Sequence, residues 1–139
     1  MRVLIVDDEE QILRMLKQHL VLEGLDVTTE TRPTKALELH QKNPFAVVVT
    51  DLSMPEMTGV QLTKLIKKSH PLTQVYIMSG YSTLLNLRDC IAEGATDFFL
   101  KPFKDLSEMV QAVREGLRRY ERWSTILSVS GGSQTEEVA

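Results

Sequence analysis

The sequence predicts an α/β protein, a doubly wound parallel sheet of five strands with helices on both faces. Two observations carry this. Short apolar runs alternate with segments whose apolar residues recur every three or four positions, so a strand-helix unit repeats five times along the chain. Four of the runs are also too uniformly apolar to alternate in and out, as befits strands covered on both faces. They are Val3-Leu4-Ile5-Val6, Val47-Val48-Val49, Val75-Tyr76-Ile77-Met78 and Phe98-Phe99-Leu100. In a parallel sheet every strand's carboxyl end lies on one edge, and the crossovers between the strands are right-handed.

The elements follow in order. After the first run, Ile12, Leu16 and Leu20 recur every four residues, with Leu13 and Met15 widening the stripe, and Gly24 closes this first helix as its C-cap. Leu25 to Glu30 reads as a short second strand. Pro33 needs no amide partner in a first turn and opens the second helix, with Ala36, Leu37 and His40 on its inner side. Asn43-Pro44 ends it before the third strand. Beyond the loop Leu52 to Gly59, a third helix turns Leu62, Leu65 and Ile66 inward and Lys64, Lys67 and Lys68 mostly to solvent. Ser82 or Thr83 caps a fourth helix running to Gly94, with Leu84, Leu87 and Ile91 as its stripe. The last helix begins near Lys104 and carries Leu106, Met109, Val110, Val113, Leu117 and Tyr120 at helical spacing. Residues 1–122 form one domain. Residues 123–139 comprise the helix end and a Ser- and Gly-rich stretch expected to be a disordered tail or linker.

Bulk properties narrow the function. A length of 139 residues suits one core, and 42% apolar residues with 25% charged ones suit a globular protein. The formal net charge of -3 gives no basic footprint, so no direct nucleic-acid contact is expected. Cys90 is the sole cysteine, which suits a reducing compartment, and it reads as a small packed residue on a helix. No apolar run reaches the ~20 residues of a membrane span, and a strand begins almost at the first residue. A cytoplasmic location without membrane insertion is expected.

The apolar runs end on Asp7-Asp8, Thr50-Asp51, Ser79-Gly80 and Lys101-Pro102. Brought to one sheet edge, these supply three carboxylates, a hydroxyl and an ammonium. Carboxylates packed closely repel one another, so the arrangement calls for a divalent cation. A site built this way can bind magnesium and receive a phosphoryl group.

That series of residues, together with the strings Val-Asp-Asp, Asp-Leu-Ser-Met-Pro and Phe-Leu-Lys-Pro, resembles a response-regulator receiver domain over about residues 1–122. The resemblance implies the flavodoxin-like (βα)5 fold, strand order 2-1-3-4-5. It implies a Mg²⁺-dependent switch in which Asp51 takes a phosphoryl group from a phosphohistidine on a sensor histidine kinase or phosphotransfer protein. Asp8, Asp51 and the Ser53 carbonyl would ligate the metal, with Asp7 acting mainly through water. Lys101 and Ser79 would contact phosphoryl oxygens, assisted by the Leu52 amide, and a cis bond before Pro102 would aim Lys101. Output to a target or to the chain's own dimer would run through the face of the fourth helix, fifth strand and fifth helix, around Leu85, Phe98 and Lys104.

Some positions depart from the commonest family pattern. Phe98 stands where tyrosine is usual and lacks an outward hydroxyl. Ser79 replaces a frequent threonine, and Gly80 a frequent alanine. Ser53 and Tyr81 occupy the two variable positions flanking the attacking water. His19, His40 and His70 show no liganding spacing and read as structural or solvated. Tyr120 and Trp123 either pack on the domain or continue the last helix into a dimer or output module.

Three functional classes compete. A receiver, whose site modifies one of its own side chains, is a switch and not a dedicated enzyme. A Mg²⁺-dependent phosphatase with an aspartate nucleophile would place Asp-x-Asp after the first strand, whereas the acceptor candidate here follows the third. A degenerate receiver that only binds partners would lack site residues, and all are present. No output domain follows residue 122, so the expectation is a single-domain regulator or a receiver fragment of a longer one.

Overall fold

The computed structural model describes residues 1–80 and 86–138, with side chains described to residue 130. Five strands alternate with five helices: β1 (Arg2–Val6), α1 (Glu10–Leu22), β2 (Asp26–Glu30), α2 (Pro33–Lys42), β3 (Val47–Asp51), α3 (Gly59–Ser69), β4 (Gln74–Ser79), α4 (Leu87–Ala92), β5 (Asp97–Leu100) and α5 (Ser107–Val138). All pairings are parallel, in the order β2-β1-β3-β4-β5.

Successive residues of the central strands point to opposite faces, and each face has its own core. Val3, Ile5, Val47, Val49, Tyr76 and Met78 pack against Leu13, Leu16 and Leu20 of α1 and Met109, Val110 and Val113 of α5. Leu4, Val6, Val48, Val75 and Ile77 pack against Ala36, Leu62, Ile66 and Cys90 of α2, α3 and α4. The central runs are apolar throughout because neither face meets water. β5 is an edge strand: Phe98 and Phe99 are half-buried and Leu100 is exposed, so this run is less covered than its composition predicts.

Helix ends follow local chemistry. Gly24 has φ 86°, and its N–H donates to Val21 O while Leu25 N–H donates to Leu20 O, which closes α1 in a left-handed turn that glycine adopts without strain. Thr58 caps α3 in a reciprocal box with Gln61. α5 starts at Ser107, after Asp105 accepts from both the Ser107 N–H and its hydroxyl.

Several inner-face assignments shift. Leu65 is 39% exposed and Thr63 is buried in its place, its hydroxyl donating to Gly59 O. The inner arc of α3 spans Gly59, Leu62, Thr63 and Ile66, and Leu65 falls about 110° from its centre. Met15 lies outside the α1 stripe and is exposed. On α4 the sheet is met by Cys90, so Ile91, one step around the helix, is 62% exposed. Ser82, Thr83, Leu84 and Leu85 lie outside the described residues. The backbone of α5 is helical to Val138. Trp123, Ile126 and Leu127 prolong the helical spacing past the domain, and extending an existing helix is far easier than nucleating one.

Candidate functional site

β1 and β3 are neighbours, with Val6 opposite Thr50, so the residues that follow them emerge side by side. Asp7, Asp8 and Asp51 each offer a carboxylate oxygen, and these lie within 4.8 Å of one another. Asp7 is fully buried, Asp51 nearly so, and Asp8 is exposed at the rim. Adjacent residues at a strand end point opposite ways, which accounts for the difference between Asp7 and Asp8.

Lys101 reaches the cluster from the far edge of the sheet. Its N–H donates to Ser79 O at 2.8 Å, and the Lys101-Pro102 peptide bond is cis. Its ammonium donates to Asp7 Oδ2 at 2.7 Å and lies 3.2 Å from Asp51 Oδ1. The other Asp7 oxygen, Oδ1, accepts from Glu9 N–H at 2.9 Å. Both oxygens of Asp7 thus have protein partners, which leaves Asp8 and Asp51 better placed for direct contact with a cation.

Ser79 ends β4 beside Lys101's carbonyl-bound amide and is buried; its hydroxyl donates to Gly80 O at 3.1 Å. The Leu52 N–H donates to Met78 O at 3.0 Å and also favours the charged form of Asp51. Ser53 is exposed in the loop after β3. Tyr81 lies outside the described residues.

The electrostatics are those of a crowded anionic site. Burial first, then the charge of Asp7, pushes the Asp51 carboxyl up to about 6, against the pull of Lys101. For Lys101, burial disfavours the ammonium, but its hydrogen bond to Asp7 and its attraction to Asp51 and Asp7 outweigh this and hold it above the ordinary lysine range. Three carboxyl groups share the site with the Lys101 ammonium. Hard carboxylate oxygens gathered this closely could hold a divalent metal ion.

A second pair joins the loops after β2 and β3 without any signal in the sequence. Arg32, between β2 and α2, grips Glu56, between β3 and α3, with Nη2–Oε2 at 3.0 Å and Nε–Oε1 at 3.4 Å. The residues are separated by 24 positions, and no local pattern links them.

Comparisons with known proteins agree with this fold. The response regulator receiver domain family matches residues 3–114. The transcriptional regulatory protein SrrA of Staphylococcus aureus is 36% identical over 118 residues, covering 84% of this chain and 48% of the relative. The chain therefore spans about half the length of the curated relatives it matches. Among solved structures, a response regulator receiver domain protein from Clostridium thermocellum superposes with TM-score 0.82 at 30% identity, covering 88% of this chain and 98% of that one. The receiver domain of NtrX from Brucella abortus does so with TM-score 0.78 at 28% identity, covering 84% and 98%.

Proposed function

The chain belongs to the response regulator receiver domain family of two-component signalling, and from that premise we propose that Asp51 accepts a phosphoryl group from a partner phosphohistidine. The observation that carries this is the position of one ammonium, Lys101, between the carboxylates of Asp7 and Asp51.

In the proposed step an Asp51 carboxylate oxygen attacks phosphorus. The new P–O bond forms as the P–N bond to the donor imidazole breaks, and the imidazole leaves with the bonding electrons. Asp51 holds its nucleophilic oxygen on a rigid strand end, which aids in-line approach. Lys101 shifts part of its contact from the carboxylates to a phosphoryl oxygen, and the Ser79 hydroxyl turns to another. Asp7 keeps Lys101 oriented through its 2.7 Å contact. A Mg²⁺ ion held by Asp8, Asp51 and the Ser53 carbonyl would neutralise charge on both carboxylate and phosphoryl oxygens.

The outcome is a modified side chain, so the protein acts as a switch and not as a dedicated enzyme. Its upstream partner is a histidine kinase or phosphotransfer protein. The curated relative is a transcriptional regulatory protein, which favours a regulatory output through a downstream target or an attached domain. Among the described residues no helix is long and apolar enough to cross a membrane; membership of the receiver family is what supports a cytoplasmic location. Incubation with acetyl phosphate and Mg²⁺, followed by mass analysis, tests the reading. One phosphoryl group should appear, on Asp51, and Asp51→Asn should take none. Labelling confined to Asp7 or Asp8 would overturn the assignment, and many turnovers of the donor would favour a phosphatase.

A further inference from the structure

We propose that Arg32 is a positioning residue for the phosphoacceptor loop, acting through its clasp on Glu56. The inference rests on the receiver reading of the Asp51 site.

Glu56 is the one non-glycine residue with positive φ among the described residues, at 72°. Met57 N–H donates to Pro55 O at 2.8 Å across it. This is a γ-turn of the rarer, strained hand, and a glutamate has no intrinsic reason to adopt it. Such a conformation persists when the surroundings over-determine it. The two-point grip of the Arg32 guanidinium supplies an external hold of that kind.

Arg32 is itself anchored. Its N–H donates to Glu30 Oε2 at 3.0 Å, and Glu30 O accepts from Asp7 N–H at 3.3 Å. A continuous chain of bonds thus runs from the end of β1, over β2, to the loop that follows Asp51. That loop is closed at its base by Gly59 N–H donating to Leu52 O at 2.8 Å. Between its base and Glu56 lies Ser53, whose carbonyl is the proposed third ligand. Fixing the turn at Glu56 fixes the path of the loop on which that carbonyl stands.

For Arg32→Gln, charge and position make opposite forecasts, which gives that variant its power to discriminate. Arg32→Gln removes a cation near an acidic site and by charge alone would strengthen Mg²⁺ binding. Glu56→Gly removes an anion and by charge alone would weaken it. If the clasp positions the loop, both variants weaken it. The glycine also relieves the positive-φ strain, so its thermal stability should be equal to or above the parent's. Mg²⁺ affinity of the full chain is measured by calorimetry, and the rate of Asp51 labelling by acetyl phosphate is followed in parallel. Each variant should bind Mg²⁺ about three- to tenfold more weakly, a smaller loss than for a buried group supporting a metal ligand because this pair is exposed. The double variant should lose no more than either single one. Variants that match the parent within twofold, or Arg32→Gln binding more tightly, would overturn the clasp. If instead the parent takes no label on Asp51, the receiver reading fails, a result separate from either.

Discussion

Tyr76 of β4 occupies the space that a side chain on Gly116 of α5 would need. A β-carbon on Gly116 would stand 2.5 Å from the Tyr76 hydroxyl oxygen and 3.1 Å from its ring. That hydroxyl donates to Ala112 O at 2.7 Å, and burial pushes it up to about 12, so it remains a donor at any physiological pH. Glycine inside a helix ordinarily costs about 1 kcal/mol relative to alanine. Here the sign reverses: Gly116→Ala should destabilise the fold by about 1–3 kcal/mol through overpacking. Chemical denaturation would read the loss. In a Tyr76→Phe background the loss should shrink, because the oxygen in closest conflict is gone while the ring contacts remain.

Lys101 supports the fold as well as the site. Asp7 is fully buried, and its Oδ2 depends on the ammonium at 2.7 Å. Lys101→Ala leaves that carboxylate beside Asp51 without its cation, held only by the Glu9 N–H on Oδ1, and removing one partner of a buried pair is costly. We expect a loss of about 1–3 kcal/mol in metal-free buffer. Mg²⁺ should restore part of it, and should raise the melting temperature of this variant more than the parent's. In Asp8→Ala the Mg²⁺-dependent rise should disappear. Thermal scans with and without the metal check both outcomes.

The strand ends were legible because one rule reaches far: in a parallel sheet all carboxyl ends share an edge, so Asp7, Asp8, Asp51, Ser79 and Lys101 converge whatever their separation in sequence. Contacts between side chains on different loops obey no such rule. Nothing local joins Lys101 to Asp7, or Arg32 to Glu56, and nothing marks Glu56 for positive φ. Leu65 and Ile91 show a related limit. Helical spacing says which residues share a stripe, but where the sheet centres on that stripe is decided by packing, and Thr63 and Cys90 face inward instead. Tyr76 reads as one more core residue, and its lock on Gly116 appears only when α5 is laid on the sheet.

His40 links stability to acid. It is fully buried, and its Nδ1 accepts from Phe45 N–H at 3.1 Å, so the neutral ring carries its proton on Nε2. Burial, then His70, then Arg2, lower its pKa to about 4. The unfolded chain takes up that proton near the ordinary value of 6.5. Between these values the unfolded state binds more protons, so this contribution is fully present above about 6.5 and is lost as pH falls toward 4. The loss should be of order 2–3 kcal/mol. His40→Asn keeps an acceptor for Phe45 and cannot titrate. It should be less stable at pH 7 but show a flatter dependence from pH 6.5 to 4. Denaturation at several pH values reads the slope, and proton NMR of the imidazole reads the midpoint.

Switching should be visible on β5. Phe98 lies opposite Ile77, two residues before Ser79, and is half-buried against the α2–α4 face of the sheet. Leu100, opposite Ser79, stands one residue before Lys101. A phosphoryl group on Asp51 adds charge and acceptor oxygens that draw the Ser79 hydroxyl and the Lys101 ammonium. Both moves act on the ends of β4 and β5, and the strand can respond by turning Phe98 inward. Burying more of its ring would favour the switched state by roughly 1 kcal/mol, enough to shift a pre-existing equilibrium several-fold. Replacing Phe98 by alanine should leave beryllofluoride binding intact and abolish the response beyond the site. Hydrogen exchange with and without beryllofluoride and Mg²⁺ tests this on the full chain. Protection should change along β5 and the first turns of α5 in the parent and be confined to the Asp51 loop in Phe98→Ala. A parent whose changes stop at that loop would show that the signal leaves the site by another route.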